Sequence, residues 1–231
     1  MEKRVLIVDC CVYPEIYSPA AHWRALLGDV PSDVVHLPSG QAEPDLAAYT
    51  HLVLTGSEAS IVEPAPWYEA EIALVRRAAR AGRAMLGSCF GHQMLALALS
   101  GRDHVRRAAA PEIGWAPIDV LADDALLRGL PNPFSAFVSH FDEVVAPPAP
   151  WRVLARSAGC GVQVMRYGDA PIWGVQAHPE IDPAEGHRIL CGFAEKEPAR
   201  RALFEAAAAQ SPRDDGVVGE MVRRFLEMNL Y

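Results

Sequence analysis

Short apolar runs alternate with amphipathic stretches through the first hundred residues. Arg4-Val5-Leu6-Ile7-Val8-Asp9 is an uninterrupted aliphatic run closed by charge, which predicts a strand buried on both faces. Residues 20–27 space their apolar positions as a helix does, and 33–37 and 52–55 repeat the strand pattern. Residues 67–81 return to helical spacing and stop at Gly82, 84–86 form a fourth strand, and 91–99 a helix ended by Gly101. Such β/α alternation predicts a parallel sheet covered by helices on both faces.

The pattern changes in the second half. Residues 115–121, 135–138, 143–146, 153–157, 162–167 and 171–176 are short strand-like runs broken by Pro, Gly and Asp, which predicts antiparallel additions to the parallel core. From Pro183 onward Ala, Glu and Arg recur with helical periodicity, interrupted near Ser211-Pro212. Neither a repeat nor a dividing linker stands out, so residues 1–231 read as one α/β domain of three αβα layers: a mostly parallel central sheet, with C-terminal helices from about 183.

Composition narrows the function classes. A formal charge of −8 disfavours nucleic-acid binding, which needs a basic face, and Arg76-Arg77 and Arg223-Arg224 read as solvated helix positions. No apolar run approaches the roughly 20 residues of a membrane span, and the N-terminus lacks a secretory h-region. The expected location is the cytoplasm, with no membrane partner. Five cysteines without C-x-x-C spacing suggest reduced thiols rather than a disulfide framework or a zinc site.

The densest chemistry lies in Gly87-Ser88-Cys89-Phe90-Gly91-His92-Gln93. A predicted strand enters this segment and a predicted helix leaves it, with Cys89 between two glycines: the nucleophile elbow in its cysteine form. A thiol at a helix N-terminus is favoured as thiolate. A lone free cysteine is usually a buried structural residue, but the flanking glycines and the strand-turn-helix context outweigh that reading. Ser88 lies off the centre of the glycine spacing, and His92 reads as structural from its place on the helix. A cysteine nucleophile needs a base, and among eight histidines His178 follows the strand at 172–177 and precedes Pro179-Glu180. Residues two apart in extended chain share a face, so the Glu180 carboxylate can reach the imidazole.

These segments resemble the class I, triad-type glutamine amidotransferases, of the stand-alone kind like the glutaminase of GMP synthase. Gly87, Cys89, Gly91, His92 and Gln93 match the family's G-x-C-x-G-H-Q, and Gln176, His178, Pro179 and Glu180 its Q-x-H-P-E. The resemblance implies a flavodoxin-like αβα fold, a Cys89-His178-Glu180 triad and no cofactor or metal. It also implies an oxyanion hole from the backbone N–H groups of Phe90 and Ser57, with Gly56 adjacent, and glutamine contacts from Gly56, Gln93, Ser139 and His140. Ser139-His140-Phe141-Asp142 resembles the family's S-H-x-D stretch, and Glu112 lies in a recurring segment that helps order the pocket. Nothing such as H-E-x-x-H supports a metal at His140 and Asp142. Many members have phenylalanine where this chain has Ala177, and glycine where it has Ser57.

The implied substrate is glutamine or another small γ-glutamyl compound, cleaved through a cysteine γ-glutamyl thioester. One reading is a glutaminase that supplies ammonia to a separate synthase. A second is a free-standing γ-glutamyl peptidase on a glutathione-like compound. A third is a non-catalytic regulatory module, against which the intact Cys89, His178 and Glu180 argue.

Overall fold

The computed structural model describes residues 2–213 and 217–228. Four parallel strands follow from the alternating first half: β1 (Val5–Asp9), β2 (Ser32–His36), β3 (His51–Leu54) and β4 (Ala84–Ser88). The second half supplies β5 (Val105–Val120), β6 (Phe134–Val144), β7 (Trp151–Arg156), β8 (Val164–Tyr167) and β9 (Ile172–Val175). Together they make one nine-stranded sheet in the order β2-β1-β3-β4-β9-β8-β7-β5-β6.

Period-two alternation explains how each early strand is buried twice. Leu6 and Val8, Leu52 and Leu54, and Met85 turn toward α2 (Tyr68–Arg80) and α3 (Phe90–Ser100). Val5, Ile7, Val53 and Leu86 turn the other way, toward α1 (Pro19–Leu27) and α6 (Val217–Glu227). Each fully buried aliphatic side chain contributes about 1.5–3 kcal/mol, and a one-residue slip would exchange the two sets. A third cluster joins α4 (Pro183–Lys196) and α5 (Arg201–Ala208) to Ile16 and Tyr17 after β1, Phe137 of β6 and Ile181 after β9. Asp182 caps α4 by accepting from the Glu185 N–H, and Pro183 occupies its first turn.

The three-layer α/β expectation holds, with strand positions close to those the pattern predicts. Two expectations change. The sheet is not mostly parallel by pairing: β2-β1, β1-β3, β3-β4 and β4-β9 are parallel, whereas β9-β8, β8-β7, β7-β5 and β5-β6 are antiparallel. The runs at 135–138 and 143–146 are one strand, β6, and β5 begins ten residues before the predicted start at 115. Pro111, Pro117 and the polar 139–142 stretch read locally as breaks. The prolines are tolerated because β7 pairs only with Asp119 and Val120, leaving the rest of that edge of β5 unpaired by strand. A register shift between Arg107 and Glu112 absorbs the irregular Ala108-Ala109-Ala110 segment.

The crossing of α3 over the sheet is unusually close. The Gly91 N–H donates to the Thr55 carbonyl at 3.1 Å. A methyl group on Gly91 would lie 2.3 Å from the Leu54 carbonyl oxygen and 2.7 Å from its carbon. Backbone cannot give way as a flexible side chain does, so Gly91→Ala is expected to cost at least the roughly 1–3 kcal/mol typical of overpacking. Urea unfolding checks this, and a variant as stable as wild type would show that the crossing is looser than described.

Candidate active site

Cys89 sits between β4 and α3 with φ 48° and ψ −105°, one of two described non-glycine residues with positive φ. A β-carbon on Gly87 would come within 2.5 Å of the Gly91 backbone, so the reversal needs glycine on its strand side too. The bend is anchored by the Cys89 N–H donating to the Val175 carbonyl at 2.9 Å, and the thiol is left at the first turn of α3. Phe90 supplies the first amide of that helix, a position without a helical acceptor.

His178 and Glu180 arrive from the segment after β9. The His178 N–H is held by Phe137 O at 2.8 Å, and the ring Nδ1 lies 2.8 Å from Glu180 Oε1. The His178 ring and the Cys89 side chain line the same cavity, and both lie against Gly56. With Nδ1 committed to the carboxylate, Nε2 is the nitrogen left for sulfur. Burial alone would lower the imidazole pKa, but negative charge at Cys89 and Glu180 outweighs it and raises the value to about 10. For Glu180, burial acts upward, and His178 together with a hydrogen bond from Tyr17 holds the carboxyl below its ordinary range.

The carboxylate has two further donors that the sequence did not single out as partners. Tyr17, in the loop after β1, donates its hydroxyl to Glu180 Oε1, and the Ser88 hydroxyl donates to Oε2 at 3.0 Å. The Tyr17 ring also meets His178 edge-on, with centroids 5.8 Å apart. No periodicity or motif marks Tyr17, because it reaches Glu180 across 163 residues of chain. Glu58 was missed as well. It lines the same cavity, accepts from the Val12 N–H at 3.0 Å and the Tyr13 N–H at 3.3 Å, and burial raises its pKa.

The remaining expected residues fall around a cavity of about 320 Å³ that contains Cys89 and His178 in its lining. Ser57 lines it, with its side chain accepting from the Ala59 N–H at 3.0 Å. Gly56 is closer to the centre: a β-carbon there would sit 2.7 Å from His178 Cε1 and 3.6 Å from Cys89 Cβ. The Ser139 carbonyl lies 3.9 Å from the Cys89 sulfur. Gln93 directs its amide nitrogen at Asp142 O (2.8 Å) and Gln176 Oε1 (3.2 Å), so that end serves the framework. His140 is likewise committed. Its Nδ1 faces Asp142 O at 3.0 Å and its Nε2 faces Glu112 Oε2 at 3.2 Å.

Asp142 fastens the 60–61 turn to β6, accepting from the Ser60 hydroxyl at 2.6 Å and the Ile61 N–H at 3.1 Å. His92 is fully buried and burial pushes its pKa down to about 3, in keeping with a structural role. Among the described residues, potential ligand atoms of Glu112, His140 and Cys160 lie within 4.8 Å of one another. The Glu112 oxygens already accept from Ser157, Gly159, Gln163 and His140, which accounts for their geometry without a metal.

The model of the family "Glutamine amidotransferase class-I" matches residues 26–196. The chain belongs to the class-I glutamine amidotransferases. Among relatives of this amidotransferase, a subunit of the glutamine-hydrolyzing GMP synthase of Sulfolobus acidocaldarius is 45% identical over 100 residues, covering 43% of this chain and 52% of that one. The corresponding protein of Saccharolobus solfataricus is 44% identical over 110 residues, covering 47% and 57%. The chain thus spans little more than half the length of these curated relatives. A glutamine amidotransferase from Thermotoga maritima superposes with a TM-score of 0.78 at 24% identity, covering 98% and 97% of the two chains, which shows the shared fold. No helix among the described residues is long and apolar enough to cross a membrane.

The His178–Glu180 pair sets a pH signature for stability. An imidazole whose pKa rises from 6.5 to about 10 on folding stabilises fully below 6.5 and loses that contribution as pH climbs toward 10. A carboxyl lowered from 4.5 stabilises above 4.5 and loses its contribution in acid. The stability advantage of wild type over His178→Gln is therefore expected to peak between these limits and fade toward pH 10. Urea midpoints across the range measure it, and an advantage that grows with alkalinity would contradict the assigned pairing.

Proposed function

We propose that this amidotransferase hydrolyses the γ-amide of glutamine through a γ-glutamyl thioester on Cys89 and supplies the ammonia to a separate synthase. The observation that carries this reading is the constrained thiol at the start of α3, which shares one cavity with an imidazole that is held from behind by Glu180. The separate synthase is supported by the names of the relatives, which are individual subunits of glutamine-hydrolyzing GMP synthases.

In this mechanism the Cys89 thiolate attacks the amide carbon. The Phe90 and Ser57 N–H groups receive the developing oxyanion, each donor being worth roughly 3–4 kcal/mol. Gly56, beside both reacting side chains, gives the backbone access to the reacting centre. His178 protonates the leaving nitrogen, ammonia departs, and the same imidazole then takes a proton from the water that hydrolyses the thioester. Glu180 keeps the ring in the required tautomer, while Tyr17 and Ser88 hold Glu180. Gln93, Ser139 and His140 shape the glutamine site through the framework they build. The reaction needs no cofactor, and free thiols at all five cysteines fit a reducing cytoplasm.

Cys89→Ala is expected to lower ammonia release from glutamine by about 10⁴-fold or more. It is also expected to abolish covalent labelling by a glutamine-mimicking electrophile. Both are read with the protein alone, by coupled ammonia assay and intact mass, and labelling that persists at full stoichiometry would refute Cys89 as the nucleophile.

A further inference from the structure

The cavity around Cys89 has two chemically different halves. One is polar, with Glu58, Glu63, Arg107 and Asp142 in its wall. Arg107 sits there between Glu63, at 2.6 Å, and Asp142, at 3.1 Å. Such a mixture of fixed positive and negative groups suits the α-ammonium and α-carboxylate of a glutamyl group. Glu197 and Arg200 also line the cavity, but the other half is mainly apolar, walled by Phe137, Ile181, Ile189, Phe193 and Phe204. These five belong to the cluster that α4 and α5 form over the site.

His178 decides which half receives the leaving group. The nitrogen that departs must lie beside the imidazole that protonates it. On that side the His178 ring meets Phe137 edge-on at 5.9 Å between centroids, and Ile181 directly follows Glu180. Ammonia gains nothing from an aromatic and aliphatic wall, whereas an apolar substituent on the leaving nitrogen buries itself there favourably. The cavity volume, about 320 Å³, falls within the range of about 300–1,000 Å³ that houses ligands larger than a free amino acid. Phe204 lies on α5, beyond residue 196 where the family match ends.

We infer that the site accepts N-substituted γ-glutamyl amides whose amine is apolar, an arylalkyl or alkyl amine, and cleaves them to glutamate and the free amine. This rests on the proposed Cys89 chemistry and names the substrate class that the same site takes. The Cys89 sulfur bonds to the γ-carbonyl carbon, the C–N bond breaks, and the amine leaves with the proton from His178. Water then adds its oxygen to the carbonyl carbon and returns a proton to His178, releasing the thiol. The sum is amide plus water giving carboxylate and the protonated amine, with no oxidant or further reactant.

The test compares γ-glutamylbenzylamide, γ-glutamylglycine and glutamine with the whole protein, reading glutamate release. Benzylamine and glycine have amino groups of comparable basicity, so their difference reports the wall rather than the leaving group. The benzylamide is expected to exceed γ-glutamylglycine in kcat/KM by about tenfold or more, the scale of a filled apolar subsite. Phe193→Ala is expected to reduce the ratio of benzylamide to glutamine kcat/KM by a similar factor. Ile189→Ala, a smaller truncation of the same wall, is expected to move that ratio in the same direction, and glutamine turnover reports whether each variant is folded. Glutamine cleavage with no preference for the benzylamide would overturn the inference and leave the glutaminase reading standing. Absence of all three activities together with an unlabelled Cys89 would overturn both. Benzylamide cleavage without glutamine cleavage would support the inference and remove the ammonia-supply reading.

Discussion

The site is organised around a single backbone conformation, that of Cys89, which turns the chain from β4 into α3 through a region that L side chains rarely occupy. Holding a residue there costs of order 1–3 kcal/mol and persists only where the surroundings leave no alternative. Here β4 is clamped between β3 and β9 by parallel ladders, α3 is pinned to the end of β3 through Gly91, and the Cys89 N–H is tied to Val175. Two apolar layers on opposite faces of the same strands supply the free energy that offsets the strain. The thiol therefore projects at a helix start because the sheet cannot relax without losing both layers.

Placing charge in that dry environment demands a second set of constraints. Glu180 is buried and accepts from His178, Tyr17 and Ser88, which come from three distant parts of the chain. A carboxylate so supplied stays ionised and fixes the imidazole. Beneath the cavity a further polar chain runs from Gln163 through Glu112 and His140 to the Asp142 carbonyl, and on through Gln93 to Gln176. It joins β5, β6 and α3 to Gln163 just before β8 and to Gln176 just past β9. Glu112 is central to this network, where it meets Ser157, Gly159, Gln163 and His140.

The C-terminal helices add a third level. A parallel sheet presents its reactive residues at the carboxyl ends of its strands, and what covers those ends decides what reaches them. In this chain α4 and α5 cover them with phenylalanine and isoleucine side chains, so the scaffold of the reaction and the shape of its entrance come from separate segments.

Local pattern was enough to locate the early strands and helices, the elbow at Cys89 and the extended His178-Pro179-Glu180 segment, because each rests on periodicity or spacing within a few residues. It was also enough to expect antiparallel additions, but not that they would equal the parallel pairings or that β5 and β6 would run so long. Their prolines and buried polar residues look like breaks until the unpaired edge of β5 and the partners of His140 and Asp142 are seen. Tyr17 and Glu58 were invisible for a related reason: their importance lies in contacts across the fold, and nothing in their neighbours along the chain distinguishes them. The sequence by itself marked the candidate nucleophile and base and determined the α/β architecture that presents them. Only the tertiary structure decided what holds the Glu180 carboxylate and how the residues around the cavity are bonded, because those depend on groups far apart in the chain becoming neighbours where water is excluded.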